Sequence, residues 1–199
     1  MDYSEPPLPI IFNEVTKHVD LPQDDLTPSR AKEIQELNSL YRDLVALNAD
    51  VPPPPNQING RLNDQVRKLK DAGNASYKKG QYSDAVRMYS LAIEMALKRP
   101  PWEGSGFVRE ELSVLYSNRA QAHMYMSAWG DALVDADTAI YLKRNFAKAH
   151  YRKGKCMQHM GRLQEAKAAY ELGLECGGTD GSDGELKSAL AEVNELLYS

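Results

Sequence analysis

The sequence predicts an all-α chain: three helix–turn–helix repeats stacked as a helical solenoid, a capping helix after them, and a small N-terminal docking module before them. Three observations carry this reading. A code of small and aromatic residues recurs along the second two thirds of the chain. Turn-forming residues interrupt each copy near its middle. The chain closes on an amphipathic stretch of helical period.

The copies align as "VRKLKDAGNASYKKGQYSDAVRMYSLAIEMA" from Val66, "SVLYSNRAQAHMYMSAWGDALVDADTAIYLK" from Ser113 and "AKAHYRKGKCMQHMGRLQEAKAAYELGLECG" from Ala147. A small residue stands early in each: Gly73, Ala120, Gly154. Tyr82, Trp129 and Leu163 open the second halves, followed by Ala85, Ala132 and Ala166; Tyr89, Ala136, Tyr170 and then Ala92, Ala139, Gly173 complete the code. Ala132 and Ala166 lie 34 residues apart, whereas Ala85 and Ala132 lie 47 apart. The second interval is the same period with an insertion of about thirteen residues, visible as "KRPPWEGSGFVREEL". Small residues at fixed positions let two antiparallel helices approach closely, and large ones fill the space between neighbouring pairs. The pattern resembles the tetratricopeptide repeat over Val66 to Gly177, with turns expected near Gly80, Ser127 and Gly161.

After the third repeat, "GGTDGSDG" is a turn-rich break. Leu186, Leu190, Val193 and Leu197 then recur at helical spacing, as expected of a helix that caps one end of a solenoid. At the other end, "LTPSRAKEIQELNSLYRDLVALN" offers Thr27 as N-cap, Pro28 in the first turn and an apolar stripe of Ile34, Leu37, Tyr41, Leu44 and Leu47. The preceding "LPIIFNEVTKHV" reads as a strand or extended arm, and "VPPPPN" as a stiff polyproline spacer. The expected division is a docking module over residues 1–50, a proline-rich linker over 51–60 and the repeat domain with its cap over 61–199. Fifty residues bury little among themselves, so the five stripe residues are expected to find cover on the solenoid or on another chain.

Composition narrows the function. With 199 residues, 42% apolar and 26% charged, the chain has the make-up of a soluble globular protein. Its formal net charge of −4 gives no general attraction to polyanions but leaves room for short acidic ligands. The opening "MDYSEPPLPIIFNEVTK" lacks the basic region and apolar core of a signal peptide. No window is apolar enough to span a bilayer, so a peripheral, cytosolic-side protein is expected. Cys156 and Cys176 are too few for a disulfide framework. Cys156 and His159 could meet across one turn, but with His123 and His150 they offer no metal-ligand spacing. No phosphate loop or nucleophile motif is present either. Neither a metal, a cofactor nor an enzymatic activity is expected.

In a stacked solenoid the first helix of each pair lines the concave groove. The groove-facing positions are Lys70, Asn74, Tyr77 and Lys78 in the first repeat, Val114, Asn118, Gln121, Met124 and Tyr125 in the second, and Lys148, Arg152, Lys155 and His159 in the third. Lys70 and Asn74 share a helix face, as do Lys148 and Arg152, while Asn118 and Arg152 occupy equivalent places in adjacent repeats. Three cations and two amides therefore converge, suited to two closely spaced carboxylates. The last residue of a peptide presents such a pair when its side chain is acidic.

The quintet Lys70, Asn74, Asn118, Lys148 and Arg152 resembles the two-carboxylate clamp of co-chaperone tetratricopeptide proteins. That resemblance implies binding of the acidic C-terminal tail of a cytosolic heat-shock chaperone, the seventy-kilodalton class first, with Tyr77, Gln121, Met124, Tyr125, Lys155 and His159 flanking it. The arrangement of a short unrepeated module, a proline linker, three repeats and an insertion between the first two resembles the "Sec seventy-two" type of tetratricopeptide subunit in the fungal post-translational translocation complex of the endoplasmic reticulum. By that resemblance the stripe of Ile34, Leu37, Tyr41, Leu44 and Leu47 docks on a membrane-anchored Sec subunit. Two other readings stay open: a soluble co-chaperone without a membrane partner, and a purely structural scaffold.

Overall fold

The computed structural model describes residues 9–14, 18–46, 54, 58–176 and 182–198. It divides into two compact units, Met1–Pro54 and Pro55–Ser199. Leu47, and the "VPPPPN" segment apart from Pro54, lie outside the described residues.

In the first unit, strand β1 (Ile11–Asn13) pairs antiparallel with β2 (His18–Asp20), Phe12 opposite Val19. Helix α1 (Pro28–Ala46) follows. Thr27 caps it, its hydroxyl accepting from the Arg30 N–H at 3.3 Å. The apolar stripe is interrupted by Asn38, a buried residue whose side chain completes the backbone of β2. Its Oδ1 accepts from the Val19 N–H at 2.7 Å, and its Nδ2 donates to the Val19 carbonyl at 2.8 Å. Phe12 meets Tyr41 edge-on at 6.1 Å. Ile34, Tyr41 and Leu44 are half-buried. Leu37 remains 40% exposed and Val45 55%, and Ile10, Ile11 and Phe12 are exposed as well, so this unit carries an apolar surface.

The second unit is a right succession of helix pairs: α2 (Gly60–Lys78) with α3 (Tyr82–Leu97), α4 (Ser105–Tyr125) with α5 (Trp129–Leu142), α6 (Ala147–His159) with α7 (Leu163–Glu175), and then α8 (Asp183–Tyr198). Each helix packs on the next in order, which is the three tetratricopeptide repeats and cap that the code predicts. The first helix of every pair ends in the same Schellman motif. Gln81 N–H reaches the Ser76 carbonyl, Ala128 N–H the His123 carbonyl and Arg162 N–H the Met157 carbonyl. The residue between takes a left-handed conformation: Gly80 at φ 76°, Ser127 at 56° and Gly161 at 77°.

The small positions exist because an aromatic ring fills the space that a side chain would take. A Cβ on Gly73 would lie 2.6 Å from Cε1 of Tyr89, and one on Gly154 would lie 2.7 Å from Cζ of Tyr170. Both tyrosines are buried on the facing helix. In the second repeat the equivalent positions are Ala120 and Ala136, both buried. Gly154→Ala should therefore lower stability by about 1–3 kcal/mol through overpacking, more than the roughly 1 kcal/mol that alanine gains over glycine in a helix. A urea midpoint that stays or rises would contradict this packing. Around the third repeat, Met157, Tyr170, Leu186 and Val193 form one core with half-buried Leu190 and Leu197, so α8 covers the last pair as a cap.

The insertion between the first two repeats is ordered and lengthens α4 at its N-terminal end. It is pinned by a buried ionic knot: Arg99 binds Glu103 at 2.7 Å and Glu111 through two bonds at 2.7 and 2.9 Å. Glu103 also accepts the Asn59 N–H at 2.9 Å, and the Asn59 side chain caps α2. The insertion thus fastens the start of the first groove helix to the second repeat.

Candidate functional site

The first helices of the three pairs place their exposed faces on one concave side, and a cavity of ≈ 430 Å³ opens there. Asn74, Asn118, Lys148 and Arg152 line it together with Tyr77, Gln121 and Tyr125. Lys70, one turn earlier on α2, lines a neighbouring depression of ≈ 250 Å³ with Val66, Phe107 and Val114. The structure therefore brings four of the five clamp residues into one cavity and leaves Lys70 beside it.

The polar groups are held in place from behind. Tyr89 reaches through from α3, and its hydroxyl donates to Oδ1 of Asn74 at 2.7 Å. Asn118 Nδ2 lies 3.5 Å from the same oxygen. With its oxygen occupied, the Asn74 amide has its NH₂ end as the one suited to a carboxylate. Arg152 donates through Nε to Gln121 Oε1 at 2.9 Å, and through Nη1 to the buried Ser117 hydroxyl. Two of its nitrogens are thus tied to α4, which fixes the plane of the guanidinium. Lys148 forms no ion pair among the described residues.

Tyrosines build the wall beyond. Tyr77, Tyr82 and Tyr125 cluster with ring centroids 4.9 to 5.6 Å apart. Burial, with the hydrogen bond to Tyr125, pushes the Tyr77 hydroxyl well above its ordinary range. Burial likewise raises Tyr89, with the nearby Arg152 charge pulling the other way. Both therefore stay protonated at neutral pH.

The remaining flanking residues behave differently. Lys155 is committed to Glu192 of α8 at 2.9 Å, and Gln158 bonds the same carboxylate at 2.9 Å. His159 stacks flat on Trp129, centroids 3.9 Å apart. Met124 is half-buried and does not line the cavity. Cys156 is buried, its thiol pushed up to about 12 by that burial. Sequence reasoning read Tyr89 only as packing and did not single out Ser117, Tyr151 or Glu185. Tyr151 and Glu185 line the cavity. Ser117 and Tyr151 lie 34 residues apart, in equivalent places of adjacent repeats, so the repeat period was a usable signal for both. Glu185 comes from the cap, where no repeat position points to it.

No known family profile matches the sequence. Over 160 residues the chain is 36% identical to the "ER protein translocation subcomplex subunit sec67" of Schizosaccharomyces pombe, covering 77% of this chain and 83% of that protein. Its fold matches a chain of the Sec complex from S. cerevisiae with a TM-score of 0.69, covering 94% of this chain and 97% of that one at 24% identity, a likeness of fold alone. It also matches the first tetratricopeptide domain of Spaghetti (RPAP3) bound to the HSP90 peptide SRMEEVD, with a TM-score of 0.55 and 27% identity over 68% of this chain and 95% of that one.

Proposed function

The chain belongs to the family of the endoplasmic-reticulum translocation subunit sec67, and on that premise we propose that it is a non-enzymatic adaptor that brings chaperone-bound precursors to the Sec translocon. The repeat domain grips the acidic C-terminal tail of a cytosolic heat-shock chaperone, the seventy-kilodalton class first. The N-terminal unit docks on a membrane-anchored Sec subunit, and the protein sits peripherally on the cytosolic face of the membrane. Among the described residues no helix is long and apolar enough to cross a bilayer.

One observation carries the reading: Asn74, Asn118, Lys148 and Arg152 converge in a single groove cavity, a donor set that matches two adjacent carboxylates. It is supported by the RPAP3 domain, whose bound peptide ends in aspartate. Lys70 acts from the rim in this proposal. For the docking half, the support is the exposed apolar surface of Ile10, Ile11, Phe12, Leu37 and Val45. The proposed contact includes Ile34, Tyr41 and Leu44 of α1, and Leu47 by its place in the sequence stripe.

The division of labour has a direct test. Leu37→Asp with Val45→Asp puts two charges on exposed positions of the docking unit, so the fold should survive. The double variant is expected to lose co-purification with the Sec complex while binding an acid-terminated peptide as the unaltered chain does. Retained co-purification, or loss of the peptide as well, would contradict the assignment of the two tasks to two units.

A further inference from the structure

Two buried tyrosines occupy equivalent places in the first and third repeats. Tyr89 and Tyr170 each fill the space over a glycine, Gly73 and Gly154, and each sends its hydroxyl to an amide on the groove helix of its own repeat. In the third repeat the chain itself completes the arrangement. The Tyr170 hydroxyl donates to Oε1 of Gln158 at 2.9 Å, and Gln158 Nε2 donates to the Glu192 carboxylate at 2.9 Å, beside Lys155 at 2.9 Å. The amide takes the hydroxyl on its oxygen and turns its NH₂ to an anion. The bond from Lys155 chiefly holds the Glu192 carboxyl below its ordinary range, against the effect of burial, and Gln158 adds to the lowering.

The first repeat has the same tyrosine and an amide on the wall of the groove cavity, with Lys148 lining that cavity too. Tyr89 donates to Oδ1 of Asn74 at 2.7 Å, and Asn118 Nδ2 stands 3.5 Å from that oxygen. A flipped Asn74 would set its NH₂ against the NH₂ of Asn118, donor against donor. The Arg152 charge acts on the same hydroxyl, which favours the oxygen's lone pairs facing the guanidinium and its hydrogen facing Asn74. We infer that Tyr89 is a positioning residue of the clamp: its hydroxyl fixes which end of the Asn74 amide faces the groove, so that Asn74 and Asn118 both present N–H groups to a carboxylate. Without that hydroxyl the Asn74 oxygen keeps one contact, at the outer limit of a hydrogen bond, and the amide turns more freely. This inference rests on the carboxylate-clamp reading.

The test uses the full chain and the labelled heptapeptide Ser-Arg-Met-Glu-Glu-Val-Asp with a free terminal carboxylate, in fluorescence anisotropy titrations. Tyr89→Phe keeps the ring over Gly73 and removes only the hydroxyl; it should weaken binding about three- to tenfold, the scale of one hydrogen bond. Tyr170→Phe makes the same change at the equivalent place and should leave the affinity where it was. In an Asn74→Ala background, Tyr89→Phe should add nothing further, because it acts through that amide. Thermal melts show that each variant is folded at the titration temperature. If Tyr89→Phe binds as the unaltered chain does, if the two Phe variants weaken binding equally, or if the Tyr89 and Asn74 effects add, Tyr89 serves packing alone and the inference falls while the clamp stands. If the folded, unaltered chain does not bind the peptide, or Asn74→Ala binds it undiminished, the clamp reading fails at this residue and takes the inference with it.

Discussion

Replacing Arg99 with methionine should destabilise the repeat domain by about 3–5 kcal/mol, the cost of leaving a buried charge without its partner. The Arg99 and Glu103 side chains are each 1% exposed, and Glu111 is 14% exposed. Burial alone would lower the Arg99 pKa, but its bonds to Glu111 and Glu103 outweigh that and hold it above its ordinary value. Without the guanidinium, the Glu103 carboxylate stays enclosed with only the Asn59 N–H to satisfy it. The neighbouring pair of Lys98 and Glu94 provides the contrast, because both side chains are at least 60% exposed. Lys98→Met should shift stability by no more than about 0.5 kcal/mol. Guanidinium denaturation followed by circular dichroism measures both. A small Arg99 effect would mean that the insertion does not hold α2 and α4 together as described.

Arg152→Ala should weaken binding of an acid-terminated peptide by about 1.5–3 kcal/mol, the range for hydrogen bonds to charged groups, which is roughly ten- to 150-fold in affinity. Arg152 is held by Gln121 and Ser117 in the orientation that would meet a ligand. The loss is therefore one of a preorganised donor, not of a mobile surface charge. Lys70→Ala should cost less than Lys148→Ala, since Lys70 lines the adjoining depression and Lys148 the cavity itself. Affinity should also fall as salt rises, because the groove is open to solvent and its charges are screened. Calorimetric titration of the three variants would rank them, and equal losses for Lys70 and Lys148 would show that the ligand spans both hollows.

Much of this fold is legible in the sequence because close packing leaves marks at fixed intervals. Gly73 and Gly154 stand where a tyrosine ring leaves no room for a Cβ, and Gly80 and Gly161 stand where the backbone turns left-handed. Ser127 does the same without glycine's freedom, and only its place in the period reveals it. The convergence of candidate residues was legible for a related reason: equivalent positions in stacked repeats land on one groove, so Asn118 and Arg152 could be paired from spacing alone. What depended on contacts between distant segments was not legible. Nothing in the spacing of Asn38 says that it completes the backbone of Val19. The insertion was visible, but its effect was not. Phe107 from the insertion lines the hollow beside Lys70, a contact that helical spacing alone does not reveal. Glu185 had no repeat partner to mark it.

The most direct measurement is a titration of the intact chain with one peptide in two forms, ending in aspartate with a free terminal carboxylate or with that terminus amidated. The amide keeps the sequence, the side chain and the apolar contacts, and removes one of the two negative charges that Asn74, Asn118, Lys148 and Arg152 are proposed to grip. The free acid should bind in the micromolar range, roughly −8 kcal/mol, and the amide at least tenfold more weakly. Equal affinity for the two forms would mean that the groove does not recognise a chain terminus, and the clamp would have to be abandoned.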